Sequence, residues 1–337
     1  MPPASDKQPQ PVPAIEALAP GLEAVVLPSE RSPWLSAEGM PVRAYVIECG
    51  PAAEQAAGPG AGAGRGAGAG ACPAAAAGAG AGTRPAGGQQ RPPARPAVVL
   101  IDSGYATRLS VEAISSAIAG RPLAAILLTH RHPDHGGGAR ALAARHGSPV
   151  YAAPAAPPPL GADPELRFRP LAGGERLVFG GLELVSVPSP GHAPDHLAYH
   201  VPARGWLFTG DAVLGEGTVV VGPPDGSLAD YLDTIERLAA LEPVSAIFGG
   251  HGPPVTAPRA RLEAIRRHRL MRLEQIRRAL AAAPEGLSAA ELVQRLYAGE
   301  VPAHLLALAQ VSVLGSLRYL QERGEVSAEG ERYRLER

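Results

Sequence analysis

The chain has 337 residues, room for one large domain or two ordinary ones with a sizeable core. With 45% apolar and 19% charged residues it has the balance of a soluble globular protein, and a net charge of −1 excludes a generally basic nucleic-acid coat. No apolar run reaches the roughly 18 residues of a membrane span. Residues 1–20 carry no apolar signal core and no arginine, which argues against a secretory or mitochondrial leader. Two cysteines, Cys49 and Cys72, make no disulfide framework, so a reducing, cytoplasmic setting is expected.

Residues 1–20 are Pro-rich and are expected to be disordered. Strand-like runs follow at 23–27 and 42–49. From 51 to 95 the chain is 35 parts in 45 Ala, Gly or Pro, a composition that cannot bury a core. It reads as a flexible insertion between two strands of one domain, because the strand pattern resumes at 97–101. Next come a helix at 111–119, a buried strand at 124–128 and a helix at 139–146. Residues 176–179 and 182–187 flank Gly180-Gly181, a hairpin signal. Strands are predicted at 197–201, 206–209 and 244–248. Between the last two, Ser227 is placed to cap a helix running to Leu241, with Leu228, Leu232, Ile235 and Leu238 on one face. The mixture predicts an α+β or layered α/β domain over residues 21–258.

Residues 259–337 read differently. A helix over about 259–283 is followed by the capping-box sequence Ser288-Ala289-Ala290-Glu291, which opens a second helix. A third spans about 302–323, and Ala328-Glu329-Gly330 lies between two short strands. Three helices and a hairpin are the order of a winged helix, expected as a separate unit.

The chemistry is concentrated in Thr129-His130-Arg131-His132-Pro133-Asp134-His135, just after a buried strand. Three imidazoles and a carboxylate in six residues are the ligand types zinc accepts. A loop leaving a strand can turn His130 and His132 to one side and Asp134 and His135 to the other, which serves two metals better than one. His192, Asp211 and His251 each follow a strand, with glycine beside them so that the backbone can approach closely.

In these residues the sequence resembles the metallo-β-lactamase superfamily. The resemblance implies an αββα sandwich with two zinc ions at one edge. It implies that His130, His132 and His192 hold one zinc, that Asp134, His135 and His251 hold the other, and that Asp211 bridges them. A hydroxide held between the metals would then attack an acyl carbon or a phosphorus. Asp134 is the expected proton carrier. His196 is assigned to catalysis as a donor to a substrate oxygen or a buttress for Asp211, the alternative being a hydrogen-bonded strand histidine. Asp102 is either a support orienting a metal-bound histidine or a plain strand-end turn residue.

The stretch from Gly210 to Thr218, the helix ending near Leu241 and Gly250-His251-Gly252-Pro253 narrow the likeness to the β-lactamase-like protein 2 group. That resemblance implies a single-stranded-RNA endoribonuclease with an appended winged helix. The alternative is a small thioester or lactone hydrolase of the glyoxalase II kind. The helix at 259–283 holds eight arginines and two glutamates, a face that could meet phosphates, or a solvated amphipathic helix packed beside the first domain. The expected partners are therefore single-stranded RNA or a small ester or thioester, with no membrane.

Overall fold

The computed structural model describes residues 12–28, 41–50, 95–154 and 166–336. The Ala/Gly/Pro tract up to residue 94, Cys72 and residues 1–11 lie outside the described residues. The first sheet has seven strands in chain order. They are β1 (Ala14–Ala19), β2 (Leu22–Leu27), β3 (Val42–Glu48), β4 (Val98–Ile101), β5 (Leu123–Leu127), β6 (Val150–Ala152) and β7 (Phe168–Pro170). The second sheet places β8 (Arg176–Phe179), β9 (Leu182–Pro188), β10 (Leu197–Val201) and β11 (Trp206–Gly210) beside one another, with β12 (Ala246–Gly249) parallel to β11 at the edge. The N-terminal expectation needs correcting. Residues 14–19, expected to be disordered, pair antiparallel with β2, and Glu16 at mid-strand forms an ion pair with Arg43 at 2.7 Å.

Alternation along the strands sorts side chains into layers. Leu22, Tyr45, Ile47, Val99, Ile101 and Leu127 face Leu184, Tyr199, Phe208 and Phe248 between the sheets. Val25, Val46, Leu100 and Ile126 face outward onto α1 (Arg108–Ile118) and α3 (Ala139–His146), where Ile114, Ile118 and Leu142 cover them. Both faces of the central strands are covered, which is why they read as continuous apolar runs. On the far side, Leu207 and Ile247 lie in a third core with Leu228, Ile235 and Leu238 of α4 (Leu228–Ala239). The four layers make the αββα sandwich. Ser227 caps α4 by accepting from the Asp230 amide, as expected.

The C-terminal elements are α5 (Pro258–Ala281), β13 (Leu287–Ser288), α6 (Ala289–Tyr297), α7 (Leu306–Glu322), β14 (Val326–Glu329) and β15 (Arg332–Leu335). Ser288 and Glu291 form the capping box that opens α6. The short β13 was not foreseen; it pairs with β15 to make a three-stranded wing. The unit is not separate in its packing. Leu262, Ile265, Leu273 and Ile276 of α5 and Val313, Leu317 and Leu320 of α7 share one continuous core with α4 and the second sheet. Residues 303–322 are apolar and long enough to cross a bilayer, but the inner face of α7 belongs to that core.

Candidate metal centre

Four segments meet at one edge of the sandwich because each follows a strand that ends there. The segment after β5 carries His130 and His132 and then α2 (Pro133–Gly136), which holds Asp134 and His135. His192 follows β9, Asp211 follows β11 and His251 follows β12. The sheets are tied together beneath them: the Tyr45 hydroxyl donates to the Gly249 carbonyl at 2.6 Å, and the Tyr199 hydroxyl to that of Leu128 at 2.7 Å. The Arg43 amide donates to the Gly250 carbonyl at 2.8 Å, fixing the His251 loop on β3.

The seven residues converge. His132 Nδ1 lies 2.9 Å from both His130 Nε2 and His192 Nε2. Asp134 Oδ2 lies 3.4 Å from His251 Nε2 and 3.7 Å from His135 Nε2. Asp211 sits between the two groups. Its Oδ2 is 3.6 Å from His192 Nε2, and its Oδ1 is 3.4 Å from His135 Nε2 and 3.6 Å from His251 Nε2. Both triads have the mutual spacing of a metal-ligand set.

The outward nitrogens fix which atom of each ring faces inward. Asp102 Oδ2 accepts from His135 Nδ1 at 2.7 Å, and the Pro41 carbonyl accepts from His251 Nδ1 at 3.0 Å. The Val220 carbonyl accepts from His192 Nδ1 at 2.9 Å. The Thr129 hydroxyl donates to Asp102 and so is left to accept from His130 Nδ1 at 3.0 Å. His132 Nε2 faces Asp225 Oδ2 at 3.5 Å. These outer partners turn Nε2 of His130, His135, His192 and His251 and Nδ1 of His132 toward the centre, the atoms a metal would take. His135 Nε2, His251 Nε2 and Asp211 Oδ1 are buried with no hydrogen-bond partner inside the protein, a costly state that a bound cation relieves.

Electrostatics agree. Burial opposes charging His135, yet Asp211, Asp134 and Asp102 together hold its pKa well above the usual range, and Asp211 and Asp134 raise His251 in the same way. Burial alone would lift Asp211, but His251, His135 and His192 hold its carboxyl well below the ordinary value. The carboxylates thus favour positive charge at His135 and His251, whereas burial, with the neighbouring imidazoles, holds His130 and His192 below the usual range.

Two expectations are sharpened. Asp102 is a support, not a mere turn residue: it accepts from His135 and from both the amide and the hydroxyl of Thr129. His196 has both ring nitrogens at partners inside the protein. It is buried at 1% exposure, accepts from the Asp211 amide at Nε2 (3.1 Å) and faces Ser189 Oγ through Nδ1 (2.8 Å). Of its candidate roles, the one this geometry displays is the buttress of Asp211. Asp225, Thr129 and the carbonyls of Pro41 and Val220 were missed. An acid within Gly222-Pro-Pro-Asp225-Gly226 has the look of an ordinary turn, and carbonyls leave no mark in a sequence.

Residues 97–251 match the family described as "Metallo-beta-lactamase superfamily", and residues 288–334 match "Beta-lactamase associated winged helix domain". The chain is 32% identical over 211 residues to "Beta-lactamase-like protein 2 homolog" of Drosophila melanogaster, spanning 60% of this chain and 69% of that protein. The chain belongs to the metallo-β-lactamase superfamily. Within the superfamily it is also 37% identical over 131 residues to "Hydroxyacylglutathione hydrolase" of Rhodobacter capsulatus, across 37% of this chain and 47% of that one. Among solved structures, a metallo-β-lactamase family protein from Thermus thermophilus superposes with a TM-score of 0.65 at 24% identity, covering 95% of this chain and all of the other. That likeness extends the shared fold through the C-terminal unit. Superfamily members are generally hydrolases, and the His/Asp cluster lies where such chemistry needs a metal.

Proposed function

We propose that the chain is a two-zinc hydrolase whose first substrate class is a small ester or thioester. The observation that carries the metal reading is the set of five histidines, each with its outer nitrogen at a partner and its inner nitrogen turned to one centre, around two buried aspartates. His130, His132 and His192 would hold one zinc, Asp134, His135 and His251 the other, with Asp211 between them. When bound, the pair supplies acidified water, whose pKa zinc can bring down to roughly 7, and a Lewis acid for developing negative charge.

The chain's own residues do the rest. Asp134 is kept ionised: burial raises its pKa, but His135 and His251 outweigh that and lower it. Its carboxylate can take the proton of the attacking water and return it to the leaving thiolate or alkoxide. His196 fixes the Asp211 backbone, and Asp102 fixes His135. The products are a carboxylic acid and a thiol or alcohol.

The structure bears on the substrate through α5. Of its eight arginines, Arg259, Arg266, Arg272, Arg277 and Arg278 lie beside Glu263, Glu236, Glu300, Glu325 and Glu274. Arg261 and Arg269 turn inward onto backbone carbonyls. Seven of the eight cations thus already have a partner inside the protein, which weighs against the RNA reading and toward a small substrate. The thioester reading is supported by the likeness to a protein named as a hydroxyacylglutathione hydrolase. The test is turnover by zinc-loaded protein of a glutathione thioester, a lactone, a β-lactam and a single-stranded RNA oligomer. Preferred turnover of the thioester or lactone is expected. Cleavage of RNA alone, weakening steeply with salt, would reverse the choice.

A further inference from the structure

The two halves of the centre share Asp102, which supports His135 directly and His130 through Thr129, but their other supports come from different parts of the fold. His135 and His251 lean on Asp102 and on the Pro41 carbonyl, at the edge of the seven-stranded sheet. His192 and His132 lean on Val220 and Asp225, both in the segment between β11 and α4. Residues 212–226 of that segment contain no helix or strand, so something else must fix them.

The first domain fixes its start, the Gly215 amide donating to the His251 carbonyl at 2.9 Å and the Thr209 hydroxyl to that of Val213 at 2.8 Å, and the C-terminal unit holds the rest. Arg261 donates to the Leu214 carbonyl at 3.1 Å and to that of Gly217 at 2.5 Å. Arg269, at 7% exposure, donates to the Val219 carbonyl, one peptide before the carbonyl that orients His192. Its guanidinium also lies 5.0 Å over the ring of Tyr231, whose hydroxyl donates to the Ala212 carbonyl at 2.9 Å, next to Asp211. Glycines let α7 close on the same segment. A Cβ on Gly222 would stand 2.1 Å from the Val311 carbonyl, and one on Gly315 would stand 2.3 Å from that of Val221.

We propose that the C-terminal helical unit, through Arg269, positions His192 and with it the first metal subsite, His130, His132 and His192, more than the subsite of Asp134, His135 and His251. The proposal rests on the two-zinc reading. A buried guanidinium shared between a carbonyl and an aromatic face is rigid, so it fixes the peptide beside Val220 and with it the His192 ring. Loss of such an outer support typically costs a metal site about 10–100-fold in affinity.

The experiment titrates zinc into metal-free protein against a chromophoric chelator and records the visible spectrum of the cobalt form. His192→Ala and His251→Ala provide single-subsite references. Arg269→Met is expected to lose about 10–100-fold at the first subsite and clearly less at the second, with Arg269→Lys intermediate and the exposed control Arg278→Ala unchanged. Equal loss at both subsites, or no loss in a folded Arg269→Met protein, overturns the proposal. If Arg269→Met does not fold, Arg261→Ala takes its place, and full affinity at the first subsite there overturns it equally. Failure of the two-zinc reading shows separately, as fewer than two sites in the wild-type titration.

Discussion

Replacing Asp102 by Asn tests the support of the second subsite with almost no change of shape. Asp102 is 2% exposed and sits at φ 59°, a left-handed conformation that Asn also tolerates, so the backbone is not the variable. One amide oxygen can still accept from the Thr129 amide, now at 2.8 Å. The amide NH2 then faces His135 Nδ1–H, a donor against a donor where a carboxylate accepted at 2.7 Å. The ring escapes by moving its proton to Nε2, which blocks the nitrogen that faces Asp134 and Asp211. A lost support of this kind costs about 10–100-fold in metal affinity, or roughly 1.4–2.7 kcal/mol at about 1.4 kcal/mol per decade. Chelator competition should therefore find one zinc bound as in wild type and one weakened by that factor. Two zinc ions held with wild-type affinity in Asp102→Asn would refute the argument that Asp102 sets the His135 tautomer.

Gly250→Ala should abolish zinc binding at the second subsite in a protein that stays folded, because the new Cβ would stand 2.4 Å from His135 Cε1 and 2.6 Å from Asp211 Oδ1; elemental analysis checks it. Removing residues 259–337 should yield no cooperatively folding domain, and Leu273→Ala should cost about 2–5 kcal/mol, because Leu273 lies in the core that α4 and the second sheet share with the C-terminal unit; one calorimetric transition is expected for the full chain, and two would argue for independent units. Replacing residues 52–94 by a short turn should leave the melting temperature unchanged or slightly raised, since the Cys49 amide already donates to the Ala97 carbonyl at 2.8 Å and the strand ends meet. Cys49 is buried and its thiol is pushed up to about 11 by that burial, so peptide mapping after iodoacetamide at about pH 8 should find it unlabelled in the native protein.

The candidate ligands and most of the elements were legible in the sequence. Histidine and aspartate after buried strands carry their meaning locally, because residue type and the strand before it suffice. The capping box at Ser288, the Gly180-Gly181 hairpin and the amphipathic stripe of α4 are local in the same sense. Tertiary structure decided what depends on partners distant in the chain. Residues 14–19 look like loop until β2 offers them a pairing edge. His196 looks like a candidate acid until Ser189 and the Asp211 amide take its two nitrogens. The sequence shows eight arginines along α5 but not that glutamates and backbone carbonyls stand beside seven of them. Above all, the carbonyls of Pro41 and Val220, which choose the inward nitrogen of His251 and His192, belong to the backbone. A sequence cannot show where a backbone carbonyl points; only the packing of one chain segment on another does.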